Sequence, residues 1–186
     1  VFVEMAAAAG WQAQGVEPSE WAAAEARRRG LDVSIGTLDT VAIPAESFDV
    51  VTLWDVIEHL ADPAAELDRA RNVLRPGGWL VVHTMDIDAL IARLMGRRWP
   101  WLMDMHLYYF GKHTLGRLLT EHGYEVVWDG AQGRYLRLGY LASRVEGMSP
   151  ALGRIAQATV SGLGLRQAAV PINLGDLRTF ISRRID

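Results

Sequence analysis

Ser47-Phe48-Asp49-Val50-Val51-Thr52-Leu53 is the stretch on which the fold turns. A polar start runs into apolar and β-branched residues with almost no alternation, as in a strand buried on both faces of a parallel sheet. A second run of the same kind, Trp79-Leu80-Val81-Val82-His83-Thr84, follows it. Between the two, Asp62-Pro63 supplies an N-cap and a first-turn proline. The helix it opens reaches about Leu74, with Ala61, Ala65, Leu67, Ala70 and Val73 among its apolar positions. Arg75-Pro76-Gly77-Gly78 reads as the turn that returns the chain to the sheet. Strand, helix, strand is the repeating unit of an open α/β sheet.

The same alternation extends in both directions. Trp11 to Val16 reads as a short strand ending in Gly15-Val16-Glu17-Pro18-Ser19, with a helix from Glu20 to Arg29 closed by Gly30 and a strand from Leu31 to Ile35. Downstream, Asp88 to Met95 is a short helix, Trp99 to Phe110 an aromatic-rich connection, Thr114 to His122 a helix closed by Gly123, and Tyr124 to Trp128 a strand. Arg134 to Val145 and Ala151 to Leu163 read as helices. Leu177 to Arg184 alternates but is only partly apolar, as an edge strand can be, and is expected to pair antiparallel with Tyr124 to Trp128. The whole of 1–186 then reads as a single domain, with 134–169 as a helical insertion that shapes an acceptor site or a dimer contact. Val1 lies inside the apolar, alanine-rich run Val1 to Ala9 with no N-cap before it, so the domain is expected to be incomplete at its N-terminal side.

Composition narrows the function classes. Of 186 residues, 50% are hydrophobic, enough for one sizeable core. Lys plus Arg is 19 against 22 Asp plus Glu, a net charge of −3, so no basic surplus asks for nucleic acid. Cysteine is absent, which excludes disulfides, thiolate nucleophiles and Cys-ligated zinc and suits a cytoplasmic protein. No apolar run is long enough to span a bilayer, and no membrane contact is expected.

In open α/β sheets ligands sit outside the C-terminal ends of the strands. Glu17 ends a strand just before a helix, where a carboxylate can accept both hydroxyls of a ribose; an ordinary acid on a first helical turn is the alternative. NAD enzymes and S-adenosylmethionine enzymes both use this geometry. The segment Gly36-Thr37-Leu38-Asp39 follows the next strand and can hold an adenine edge through backbone groups, with Leu38 as an apolar face. Leu53-Trp54-Asp55 follows the buried strand and lines the central crevice. Asp55, Glu58 and His59 offer metal donors, but no second histidine stands near them in the chain, so a capped, solvated helix start is preferred and no metal is expected. His106-Leu107-Tyr108-Tyr109-Phe110 is the acceptor-side candidate: an imidazole beside two phenols can orient a nucleophile, and His106 can act as a general base. His83 reads as a satisfied core or crevice histidine.

Taken in order, Gly15-Val16-Glu17-Pro18-Ser19, Phe48-Asp49-Val50-Val51, Glu58-His59-Leu60, Leu74-Arg75-Pro76-Gly77-Gly78 and His106-Leu107-Tyr108-Tyr109-Phe110 resemble a class I S-adenosylmethionine-dependent methyltransferase of the small-molecule type related to ubiquinone biosynthesis. The resemblance runs from Val1 to about Trp128, with a closing strand near Leu177. It implies a Rossmann-like three-layer α/β sandwich, a mostly parallel sheet with an antiparallel last strand, and S-adenosylmethionine as cofactor. It places Glu17 and Pro18 at the ribose, Thr37 and Leu38 at the adenine, and Leu53 and Trp54 beside the methionine moiety. Thr37 stands where the family often has an acid. The glycine-rich loop that the family carries after its first strand has no counterpart, as though Val1 began directly after it. The activity implied is methyl transfer to a small-molecule acceptor, most simply a hydroxyl, with His106 as catalytic group and Tyr108 and Tyr109 against the substrate. A homodimer fits this reading. The rivals are an NAD-dependent Rossmann oxidoreductase and a non-catalytic partner subunit of the same fold.

Overall fold

The computed structural model describes residues 2–186, and at 147 and 148 the backbone only; the start of the alanine-rich run at Val1 lies outside the described residues. The chain opens with helix α1 (Phe2–Ala8), strand β1 (Gly15–Glu17), helix α2 (Glu20–Arg28) and strand β2 (Val33–Ile35). Ser19 caps α2, its hydroxyl accepting from the Ala22 N–H at 3.3 Å. Strand β3 (Phe48–Trp54), helix α3 (Pro63–Val73) and strand β4 (Leu74–Met85) form the expected crossover unit. Asp62 caps α3 by accepting from the Ala65 N–H at 3.0 Å. Helix α4 (Leu90–Met95), helix α5 (Lys112–Glu121) and strand β5 (Tyr124–Ala131) follow. Strand β6 (Arg134–Arg137), helix α6 (Leu138–Met148), helix α7 (Pro150–Gly162), strand β7 (Ala169–Ile172) and strand β8 (Leu177–Arg184) complete the fold.

β1 and β2 pair in parallel as a two-stranded sheet, and a four-stranded sheet runs in the order β3-β4-β8-β5. β3 and β4 are parallel, while β8 is antiparallel to both of its neighbours. The closing strand is therefore antiparallel, as expected, but it is interior and not an edge. Its polar residues misled the pattern: Thr179 and Ser182 are buried, and the Thr179 hydroxyl is spent on Gln132 Oε1 at 2.8 Å. Arg134 to Arg137 is a strand and not the start of a helix. It pairs antiparallel with Ala169–Ile172, and that partner overrides a helical preference that was only local. Arg75 to Gly78 makes its turn inside β4: pairing jumps from Phe48–Leu74 to Val50–Trp79, and Gly77 takes φ 72° to allow it. The first strand is shorter than Trp11 to Val16 predicts, because only Gly15–Glu17 finds a partner, in β2.

The main core forms where Leu53, Leu80, Val82 and Phe180 of the sheet meet Leu67 of α3 and Leu115 of α5. Tyr124 is fully buried there and donates its hydroxyl to the Leu67 carbonyl at 3.0 Å. A second cluster of Met85, Ala92, Trp99 and Leu177 covers the C-terminal end of β4. Arg178 of β8 ties three strands' ends together: Nε donates to Asp86 Oδ2 at 2.8 Å and Nη1 pairs with Asp129 of β5. No helix among the described residues is long and apolar enough to cross a membrane.

Candidate functional site

The C-terminal ends of β1 and β2 lie side by side, with Glu17 opposite Ile35. The Glu17 carbonyl accepts from the Gly36 N–H at 3.1 Å, which places the acid directly against the 36–39 loop. One Glu17 carboxylate oxygen takes the Ser19 N–H at 2.9 Å, leaving the other for a ligand; Pro18 beside it is exposed. Gly36 has φ 137°, and a Cβ there would run into Thr40, so the loop's sharp departure from β2 requires glycine. Thr37 is internally committed: its N–H goes to Thr40 Oγ1 at 2.9 Å and its carbonyl accepts from the Thr40 and Val41 N–H groups. Leu38 packs against the main core and anchors the loop. Glu17 and the 36–39 loop are thus adjacent at neighbouring strand ends.

At the end of β3, Leu53 is buried in the core, so only its backbone can reach a ligand. Trp54 is 36% exposed, with its ring 5.3 Å from Phe2 and 5.4 Å from His83. Asp55 turns the chain out of the strand at φ 51°, a left-handed conformation uncommon outside glycine, held by its N–H to the His83 carbonyl at 3.0 Å. His83 Nδ1 lies 2.8 Å from Thr179 Oγ1, whose proton goes to Gln132 Oε1. Nδ1 is therefore the donor, and Nε2 keeps its lone pair, 3.9 Å from Asp55 Oδ1. Burial holds the His83 imidazole below its ordinary range, and Asp55 pulls in the other direction.

The aromatic connection is folded back against the 3₁₀ turn Ile57–His59. Buried Asp176 receives the indole N–H of both Trp99 (3.1 Å) and Trp101 (3.0 Å), and the Arg134 guanidinium sits 4.2 Å over the Trp101 ring. The Leu107 and Tyr108 N–H groups both donate to the Glu58 carbonyl, at 2.8 and 3.2 Å. The two tyrosines diverge. Tyr108 donates to the Ala61 carbonyl at 3.2 Å and stacks on Phe110, while the Tyr109 hydroxyl is closed on the Met103 backbone, accepting from its N–H and donating to its carbonyl. The His106 ring packs edge-on against His59 at 4.7 Å and Tyr109 at 5.8 Å between centroids, and its Nδ1 is 2.8 Å from the Trp101 carbonyl.

Glu58 is not solvated, as the sequence alone would have it, but fully buried. Its Oε2 accepts from Thr84 Oγ1 at 2.9 Å. Burial pushes its carboxyl above the ordinary range, with the Thr84 hydrogen bond acting against the shift. The histidine missing from the neighbourhood of Glu58 and His59 in the chain is supplied in space by His106.

A family profile described as a methyltransferase domain matches residues 1–128. The chain belongs to the methyltransferase domain family. Over 101 residues it is 33% identical to a ubiquinone biosynthesis O-methyltransferase of Cereibacter sphaeroides, covering 52% of this chain and 38% of that protein. Over 81 residues it is 38% identical to an uncharacterized 37.1 kDa protein in transposon TN4556 of Streptomyces fradiae, covering 41% of this chain and 24% of that one. The chain thus spans well under half the length of these two relatives. A solved S-adenosylmethionine-dependent methyltransferase of Thermotoga maritima, described as a possible histamine N-methyltransferase, matches 91% of this chain and 72% of its own at TM-score 0.62 and 22% identity. One from Archaeoglobus fulgidus matches 98% and 80% at TM-score 0.63 and 17% identity. These likenesses show the Rossmann-like α/β methyltransferase fold.

S-adenosylmethionine is the cofactor that family and fold imply, and the methyltransferase domain fits its nucleoside end. Glu17 holds a free carboxylate oxygen beside a glycine-shaped loop with an apolar residue, and Trp54 offers an exposed ring at the end of β3. Sequence reasoning missed the Thr179–Gln132 support behind His83 and the meeting of His106 with Glu58 and His59. Both join residues far apart in the chain, and no local spacing announces either.

Proposed function

We propose that the intact protein transfers the methyl group of S-adenosylmethionine to a small-molecule acceptor, with a hydroxyl oxygen as the nucleophile. The observation that carries this reading is the placement of Glu17 at the end of β1, hydrogen-bonded through its backbone to the loop at the end of β2, in a chain that belongs to the methyltransferase domain family. When bound, the cofactor supplies a methyl that its sulfonium already makes electrophilic, so the chain's task is alignment and exclusion of water. Glu17 and Pro18 take the ribose, Thr37 and Leu38 flank the adenine, and the Leu53 backbone and Trp54 ring lie along the methionine moiety. His106 faces the acceptor. Its Nδ1 is engaged with the Trp101 carbonyl, so Nε2 is the atom left to accept the proton that a hydroxyl gives up as the new oxygen–carbon bond forms. Tyr108 and Tyr109 serve as walls, since both hydroxyls are already committed to backbone.

The relative named as an O-methyltransferase supports oxygen over nitrogen as the acceptor atom. The contact of Arg134 with Trp101 supports a role for 134–169 in shaping the acceptor side. Among the described residues the β1–β2 pair is not hydrogen-bonded to the four-stranded sheet.

Incubation of the intact protein with methyl-tritiated S-adenosylmethionine and a panel of phenols, catechols, aliphatic alcohols and amines tests the reading. Label is expected in an extractable methyl ether of at least one compound class. Label carried only by amines would move the acceptor to nitrogen. Binding of the cofactor with no transfer to any class would favour a non-catalytic partner.

A further inference from the structure

Glu58, His59 and His106 each bring a donor atom to within 4.8 Å of the other two. The carboxylate comes from the 3₁₀ turn after β3, and the second imidazole comes from the connection before α5. The two segments are stitched together by the Glu58 carbonyl, which accepts from both Leu107 and Tyr108. The cluster is therefore held by the fold and does not arise from neighbouring positions on one surface loop.

Glu58 is 0% exposed, yet its Oε1 is buried without a hydrogen-bond partner. A carboxylate oxygen in that state is costly unless a cation or a donor reaches it. The two histidines are prepared in the complementary sense. His59 Nδ1 lies 3.0 Å from the Met105 carbonyl, and His106 Nδ1 lies 2.8 Å from the Trp101 carbonyl. A carbonyl can only accept, so the proton of each neutral ring is on Nδ1 and the lone pair is on Nε2. An Nδ1–H given to a backbone carbonyl is the support that metal-bound imidazoles use to fix their tautomer and orientation. Thr84 holds the other carboxylate oxygen and so fixes the direction of Oε1.

We propose that Glu58 Oε1 and the Nε2 atoms of His59 and His106 form a binding site for one divalent first-row transition-metal ion, with Zn²⁺ as the representative. Two imidazoles and one carboxylate suit such an ion, whereas Mg²⁺ prefers oxygen donors and keeps its waters. Donors on one tetrahedral Zn²⁺ stand about 3.3 Å apart for bonds of about 2.0–2.1 Å, so the three side chains close in on one another when the ion binds. His59 is exposed and His106 half-buried, which leaves the remaining coordination positions open to water or to an acceptor oxygen. With the ion bound, His106 is a ligand and not a base. The site stands or falls independently of the methyl-transfer reading, because it is measured with the ion alone.

The test is calorimetric titration of the intact, chelator-stripped protein with ZnCl₂. One ion per chain is expected. His106→Ala and His59→Ala should each weaken binding by about 10²-fold or more, since even the groups supporting a ligand are worth 10–100-fold. His113→Ala, on an exposed histidine of α5, should leave it unchanged. Zn²⁺ should raise the melting temperature of the wild type and of His113→Ala but not of His106→Ala. Circular dichroism checks that each variant is folded; Glu58→Gln, which keeps the side chain's shape and its contact with Thr84, gives the same comparison if an alanine variant is not. No uptake of Zn²⁺ by the wild type overturns the proposal. So does equal uptake by the wild type and both histidine variants, because the ion would then sit elsewhere, and so does a preference for Mg²⁺ over Zn²⁺.

Discussion

Replacing His106 by glutamine is expected to lower turnover of the acceptor by about 10²–10⁴-fold, the range of a positioned general base. Affinity for S-adenosylhomocysteine should stay where it is. The ring is held by the Trp101 carbonyl at 2.8 Å and flanked by His59 and Tyr109, so its Nε2 has a fixed direction. Glutamine can fill the space and accept a hydrogen bond, but its amide does not take a proton. The same atom is the proposed metal ligand, and a chelator separates the two roles. Turnover that survives removal of divalent ions in the wild type and still collapses in His106→Gln belongs to a base. Turnover lost equally by chelation and by substitution, and restored by Zn²⁺ in the wild type only, belongs to a bound ion. Near-normal turnover in the variant would make His106 packing material.

Arg178→Met is expected to destabilise the fold by about 3–5 kcal/mol, the scale for removing one partner of a buried ion pair. The Arg178 side chain is 18% exposed and that of Asp86 only 5%. Methionine matches the aliphatic stem but leaves the Asp86 carboxylate with the Asp88 N–H alone. Asp129 keeps Lys112 at 3.1 Å, so the cost falls mainly on Asp86. Urea unfolding near neutral pH reads this as a lower midpoint. Adding Asp86→Asn to Arg178→Met should recover part of the loss, because the uncompensated charge is gone. A midpoint within experimental scatter of the wild type would show that the pair contributes nothing to holding β8 between β4 and β5.

Legibility of the fold followed the reach of each signal. Ser47 to Leu53 and Trp79 to Thr84 were readable as sheet interior because continuous apolar runs carry their own burial, and Asp62-Pro63 marked the helix between them. The interior place of Leu177–Arg184 was not readable, because Thr179 and Ser182 are polar letters whose burial depends on strands more than forty residues away. Arg134–Arg137 was misread for the same reason: the partner that makes it a strand, Ala169–Ile172, lies beyond two helices. The strand-end places of Glu17 and the Gly36 loop were legible because the end of a strand is marked by local residues. Tyr108 and Tyr109 were legible as neighbours in sequence but not as side chains pointing to different carbonyls. The burial of Glu58 and its approach to His106 needed the fold itself.

In the proposed function, the ends of β1 and β2 hold the nucleoside of S-adenosylmethionine through Glu17. Calorimetric titration of S-adenosylhomocysteine into the intact wild type and Glu17→Ala tests it directly. Binding by the wild type is expected, with a loss of about 1.5–3 kcal/mol in the variant, the scale for hydrogen bonds to a charged group. Equal affinity in the two proteins, or tight binding of NAD with no response to either methyl cofactor, would contradict it.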